Sequence, residues 1–150
     1  MAHSFSRIHV HLVFSTKRRA PVITDEVRGA LHRYMATVLQ DLGCHPILIN
    51  SVEDHVHLLF ELGRTVAVAA VTEAIKKSSS RWIKTRGEEF AFFSWQSGYG
   101  AFAVSKSNVR TVRAYIARQR KHHARQSYQD EYRAILERHG IEFDERYAWE

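Results

Sequence analysis

The chain is poor in the residues that break or staple a fold. It has one cysteine, Cys44, so no internal disulfide can form. A lone cysteine fits a reducing cytoplasm best. Beside Gly43 it reads as a buried filler and not as a reactive thiol. Two prolines and seven glycines in 150 residues leave no linker, and there is no repeat or low-complexity tract. We therefore expect one domain over residues 1–150. No apolar run approaches the roughly 20 residues that span a bilayer. Met1 to Arg19 alternates apolar with polar residues, which is not the layout of a signal peptide. Acidic residues are missing from one long stretch, Ser105 to Gln129.

That stretch carries Lys106, Arg110, Arg113, Arg118, Arg120, Lys121 and Arg125. A second basic cluster is Lys76, Lys77, Arg81, Lys84 and Arg86, and a third is Lys17, Arg18 and Arg19. The acids gather instead between Asp130 and Glu150. A net charge of +6 and a pI near 9.7 imply an anionic partner, and three separate clusters favour nucleic acid over a merely solvated surface.

Periodicity gives the elements. Ile8 to Phe14 alternates with period two and reads as a strand, with Ile8, Val10, Leu12 and Phe14 on one face and His9 and His11 on the other. Thr24-Asp25-Glu26 starts a helix that ends before Gly43, with Val27, Leu31, Tyr34, Met35, Val38 and Leu42 inward. Pro46 to Val52 and His55 to Glu61 read as strands joined by a tight turn. Thr65 to Thr85 reads as a helix with Val68, Val71, Ile75 and Trp82 inward. The aromatic segment 92–104 becomes a strand in its second half. Asn108 caps a third helix that runs to about His123, and Tyr128 to His139 forms a fourth. The order β-α-β-β-α-β-α-α predicts an α+β fold. Its first six elements match the ferredoxin-like (split βαβ) plan, an antiparallel sheet in which strands one and three are central neighbours.

Two pairs of residues carry the chemistry. In a strand, residues two apart point the same way, so His55 and His57 share one face while Val56, Leu58 and Phe60 face the core. Two such imidazoles can converge on one metal ion. An isolated His-x-His is more often a bland pair on a half-solvated face, and His9-Val10-His11 has the same spacing. Four residues apart on a helix, Tyr115 and Gln119 flank an apolar stripe of Val109, Val112 and Ile116 inside the longest basic stretch. A tyrosine can attack a phosphodiester that a divalent metal polarises and positions. Two imidazoles and an amide oxygen form a neutral, partial ligand set, suited to Mg2+ or Mn2+. Attack would store the bond as a phosphotyrosine, which a free hydroxyl can reverse onto a new strand without ATP.

At these residues the chain resembles the single-tyrosine HUH transposases of the insertion sequence 200/605 family. The likeness runs through His11-Leu12-Val13-Phe14-Ser15-Thr16-Lys17, Asp54-His55-Val56-His57-Leu58-Leu59, Lys77-Ser78-Ser79-Ser80-Arg81-Trp82, Trp95-Gln96-Ser97-Gly98-Tyr99-Gly100-Ala101-Phe102, Tyr115-Ile116-Ala117-Arg118-Gln119 and the tail Asp144-Glu145-Arg146-Tyr147. The resemblance implies that Tyr115 attacks single-stranded DNA to give a 5′-phosphotyrosine and a free 3′-OH, with His55, His57 and Gln119 holding the metal. It implies recognition of subterminal hairpins and a homodimer, in which the tyrosine helix of one subunit can complete the histidine pair of the other. Lys17, Arg18, Arg19, Lys77, Arg81 and Arg118 are the expected phosphate contacts. Trp95, Tyr99 and Phe102 are candidates to stack on bases, with core packing the better reading for most of them. His9, His11, His122 and His123 leave the ligand set open. Two rival readings stand beside this one: a non-catalytic nucleic-acid-binding module, including a domesticated relative, and a nuclease that uses water.

Overall fold

The computed structural model describes residues 3–150. Four strands, β1 (His9–Ser15), β2 (His45–Ser51), β3 (His55–Glu61) and β4 (Gly100–Val104), form one antiparallel sheet in the order β2-β3-β1-β4. Strands one and three are central neighbours, as the split βαβ plan predicts, with Leu12 opposite Leu58 and Val13 opposite His57. β2 is an edge strand, where Pro46 and the register shift that follows it cost little pairing.

Helices α1 (Asp25–Asp41) and α2 (Val68–Lys84) cover one face. Asp25 and Glu26 sit in the first turn of α1, where the helix dipole favours negative charge. The helix stops at Gly43, whose φ of +78° is open to glycine but strained for other residues. Val27, Leu31, Met35 and Leu39 of α1, and Val71, Ile75 and Ile83 of α2, meet Val10, Leu12, Phe14, Val56, Leu58 and Phe60 in the main core. Full burial of each such side chain contributes about 1.5–3 kcal/mol. Trp95 and Phe93 extend this core, and the Trp95 indole N–H donates to the Ser79 hydroxyl at 2.9 Å. Cys44 is buried, as a filler should be.

The opposite face is also covered. Helix α5 (Tyr128–Arg138) packs Tyr128, Tyr132, Ile135 and Leu136 against Val13 and Phe102. Its N-terminus is capped by the Ser127 hydroxyl, which accepts from the Asp130 N–H at 3.2 Å. Beside it, the long helix expected from Asn108 to His123 is two helices. α3 spans Val109–Ala117, Arg118 leaves helical geometry at φ −99°, ψ 20°, and α4 spans Gln119–His123. Asn108 makes no side-chain capping bond. The break has two physical sources. The Asn50 amide N–H on β2 donates to the Ile116 carbonyl at 2.8 Å, tying down the last turn of α3. The segment also lacks acids to offset its arginines and lysines by four-residue ion pairs.

Gly100 opens β4 at a point of close approach. A Cβ there would lie 2.8 Å from a ring carbon of Tyr132 and 2.9 Å from the Phe102 ring. Neither ring has room to yield in the second core. We expect Gly100→Ala to destabilise the protein by about 1–3 kcal/mol, read from urea unfolding.

Candidate active site

β3 presents His55 and His57 on the sheet face opposite Val56, Leu58 and Phe60, and both imidazoles are fully buried. The half-solvated face that would have made them unremarkable does not exist, because α3, α4 and α5 close over it. Each ring is held from behind. The Asp54 carboxylate lies 2.7 Å from His55 Nδ1, and His11 Nε2 lies 2.8 Å from His57 Nδ1. Both Nε2 atoms therefore point into a common space. His11, from the look-alike doublet, supports the pair, while His9 stays outside it in a groove with Arg110 and Arg113.

Into this space comes a carboxylate that sequence reasoning missed. Glu131 Oε1 lies 3.2 Å from His55 Nε2, 3.0 Å from His57 Nε2 and 3.1 Å from His123 Nε2. The Glu131 side chain is 1% exposed. Its signal was present in the pattern: Tyr128, Glu131, Tyr132, Ile135 and Leu136 form the buried stripe of α5, and a glutamate on an apolar stripe needs a partner. Gln119 is fully buried as well. Its Nε2 donates to Glu131 Oε2 at 3.0 Å, and its Oε1 lies 3.3 Å from His55 Nε2 and 3.1 Å from His123 Nε2.

Tyr115 completes the cluster. Its hydroxyl donates to Glu131 Oε2, and its ring centroid lies 6.2 Å from that of His57. His122, one heptad on, packs on it at 4.6 Å. Tyr115, Gln119, His55 and His57 thus meet within one chain, although the break at Arg118 separates the first two onto different helices. The basic residues divide. Arg19 lines a cavity of about 290 Å³ with Asp54, His123 and Tyr128, next to the cluster. Lys17 and Arg18 share its exposed turn, with Arg18 and Arg19 both in the left-handed region. Arg118 is exposed at the helix break. Lys77 and Arg81 lie on α2, across the sheet, in a groove with Trp95 and Tyr99, and Lys77 pairs with Glu73 at 2.6 Å. Trp95 and Phe102 are core residues, and Tyr99 is open to solvent.

The electrostatics follow from burial. Desolvation acts against the charged form of His55, but the Asp54 bond and Glu131 outweigh it and hold the imidazole up at about 8. Burial dominates at His57 and His11, which are pushed down, so both are neutral near pH 7. Glu131 is held far below the usual carboxylate range: its bonds to His123, His55 and His57 overcome desolvation. Burial, then the Glu131 charge, push the Tyr115 phenol up, so it stays protonated.

A family model described as "Transposase IS200 like" matches residues 4–119. The chain belongs to the IS200-like transposases. It is 24% identical over 118 residues to the ISDra2 transposase TnpA of Deinococcus radiodurans, covering 75% of this chain and 84% of that one. A solved transposase from Deinococcus radiodurans R1 shares its fold at a TM-score of 0.62 and 22% identity, over 79% of this chain and 95% of that one. So does a REP-associated tyrosine transposase bound to a REP hairpin, at 0.59 and 15%, over 82% and 73%. Family membership makes this transposase an enzyme of DNA transposition. Among the described residues no helix is long and apolar enough to cross a membrane. His123 and Glu131 lie beyond the stretch that the family model matches.

Because His55 is raised in the folded state, its stabilising share is fully present below its unfolded pKa of about 6.5 and is lost as pH rises through about 8. We expect Asp54→Asn to destabilise the metal-free transposase by up to about 2 kcal/mol at pH 6 and far less at pH 9, measured by urea unfolding.

Proposed function

We propose that this transposase cuts and rejoins single-stranded DNA, with Tyr115 as nucleophile and a divalent metal held at His55 and His57. The observation that carries the reading is the convergence of the Tyr115 hydroxyl, two inward-facing imidazoles and Gln119 in one buried cluster. The donors fit such a group: Gln119 Oε1 lies 3.3 Å from His55 Nε2, near the separation of neighbouring ligands on a first-row divalent ion (about 3–3.4 Å for bonds of about 2.0–2.2 Å). The ion is read as Mg2+ or Mn2+. When bound, it polarises the scissile phosphate.

The chain's own residues do the rest. The Tyr115 phenol oxygen bonds to phosphorus as the P–O3′ bond breaks, and the phenol proton passes, through solvent, to the departing 3′ oxygen, leaving a 5′-phosphotyrosine and a free 3′-hydroxyl. Burial keeps water from the site, which favours the stored ester over hydrolysis. Arg19 beside the cluster, and Lys17 and Arg18 on the same turn, hold phosphates, and Arg118 adds charge at the helix break. Lys77 and Arg81 serve a separate groove, open to another part of the same DNA. The hairpin carried by the REP-associated relative supports a folded-back DNA end as partner. One chain supplies all the groups, so a homodimer would pair two such sites.

Tyr115→Phe should lose cleavage and the covalent protein–DNA band on a denaturing gel while DNA binding persists. His55→Ala should lose metal-dependent cleavage. Wild-type cutting by Tyr115→Phe would point to a water-using nuclease, and no metal-dependent cutting in any variant would leave a binding module. Since His55 Nε2 must be free of its proton to take a metal, binding at pH 7 should release close to one proton, with affinity rising up to about pH 8 and then levelling. Calorimetry in buffers of different ionisation enthalpy reads that proton.

A further inference from the structure

The ligand set drawn from the family motif, two histidines and Gln119, accounts for only part of what faces the cluster. We propose that His123 and Glu131 are ligands of the same ion, which adds a third imidazole and a carboxylate to His55, His57 and Gln119. The inference deepens the metal reading above and rests on it.

Four observations carry it. First, one ligand atom from each of His55, His57, His123 and Glu131 falls within 4.8 Å of the others. Second, the three contacts of Glu131 Oε1 span only 3.0 to 3.2 Å, the separation of neighbouring donors around a first-row divalent ion. Third, two of the imidazoles are fixed from behind by Asp54 and His11, the arrangement that orients metal-bound histidines and sets which nitrogen faces the ion. Fourth, among the described residues no lysine or arginine pairs with Glu131; its partners are the three imidazoles, the Gln119 amide and the Tyr115 hydroxyl. Three of the groups that meet this carboxylate are side chains that can also bind a metal.

The donor set changes the expected ion. Three imidazoles lean toward Mn2+, Co2+ or Zn2+, and Mg2+ takes oxygen ligands and keeps its water. The carboxylate makes the cage anionic, so it holds a dication more firmly than a neutral set. Because Glu131 Oε1 lies among the three imidazole nitrogens while Oε2 accepts from Tyr115, the carboxylate would also tie the position of the tyrosine to that of a bound metal.

The test uses the full chain. X-ray absorption on the wild-type protein loaded with Zn2+ or Mn2+ should count three imidazoles, and calorimetry should find Mn2+ bound at least about 100-fold more tightly than Mg2+. Glu131→Gln and His123→Ala should each weaken Mn2+ binding at least about tenfold, with circular dichroism unchanged. Two imidazoles in the wild-type spectrum, or wild-type affinity in both variants while His55→Ala loses the ion, would overturn this assignment and leave the two-histidine reading intact. If the wild-type chain binds none of these ions, the metal reading itself fails with it.

Discussion

A single buried carboxylate governs the second face of this sheet. Removing an ionised glutamate from water costs several kcal/mol unless charge and hydrogen bonds replace the solvent. Glu131 finds that replacement in three imidazoles, an amide and a phenol, all from other parts of the chain. Each partner is therefore constrained. α5 must lie at the phase that turns Glu131 inward. α4 must bring His123 and Gln119 to the same point. α3 must stop so that Tyr115 faces the same carboxylate from another side. The break at Arg118 serves this arrangement: Tyr115 and Gln119, on separate helices, both donate to Glu131 Oε2.

The sheet separates its two tasks by face. One face is apolar and meets α1 and α2, and there stability comes chiefly from apolar burial. The other carries His11, His55 and His57, with apolar packing by Val13 and Phe102 against α5 and by the buried Leu59 and Ile116. Linking the two are residues whose sequence context says little about their role. The Lys76 ammonium donates to the carbonyls of Gln96, Ser97 and Gly98, and burial lowers it to about 8. The Gln96 amide oxygen in turn accepts from the Ser15 N–H at 2.7 Å and from the Tyr128 hydroxyl. A lysine of the first layer thereby steadies the loop that seats the first turn of α5. The Lys77-Ser-Ser-Ser-Arg-Trp and Trp95-Gln-Ser-Gly-Tyr segments meet through Ser79–Trp95, next to the Lys76 bonds, so part of their pattern is structural and not a contact with DNA.

What was legible in the sequence follows from period. Strand alternation put His55 and His57 on one face and Val56, Leu58 and Phe60 on the other, and the element order placed β1 beside β3. Leu39, a core residue of α1, went unread because the stripe was drawn through Val38 and Leu42, which are only partly buried. Helix continuity past Ala117 was the larger error. No proline or glycine interrupts it there, and the tertiary contact from Asn50 to the Ile116 carbonyl that ties down its last turn cannot be read from the segment itself. Glu131 was hidden for another reason. It sits in a block of acids that reads as a solvated tail, and its burial shows only when α5 is phased by Tyr128, Tyr132, Ile135 and Leu136.

His11 has a role that neither spacing nor motif suggests. With His57 neutral, its Nε2–H donates to Glu131 and its Nδ1 accepts from His11 Nε2–H, which satisfies all four atoms. A metal held on His57 Nε2, as proposed above, would replace that proton, and Nδ1 would then be the donor and His11 Nε2 the acceptor. Both rings would then change tautomer: His11 gives its Nε2 proton to His57 Nδ1 and must take up another at its own Nδ1 to stay neutral. A phenylalanine at position 11 would keep the stacking on His57, whose centroid lies 5.0 Å away, yet could not take part in that reversal. The first histidine doublet thus matters to the second by holding its proton on the correct nitrogen. That need is met on the neighbouring strand, where Val13 stands opposite His57 and His11 one pleat away.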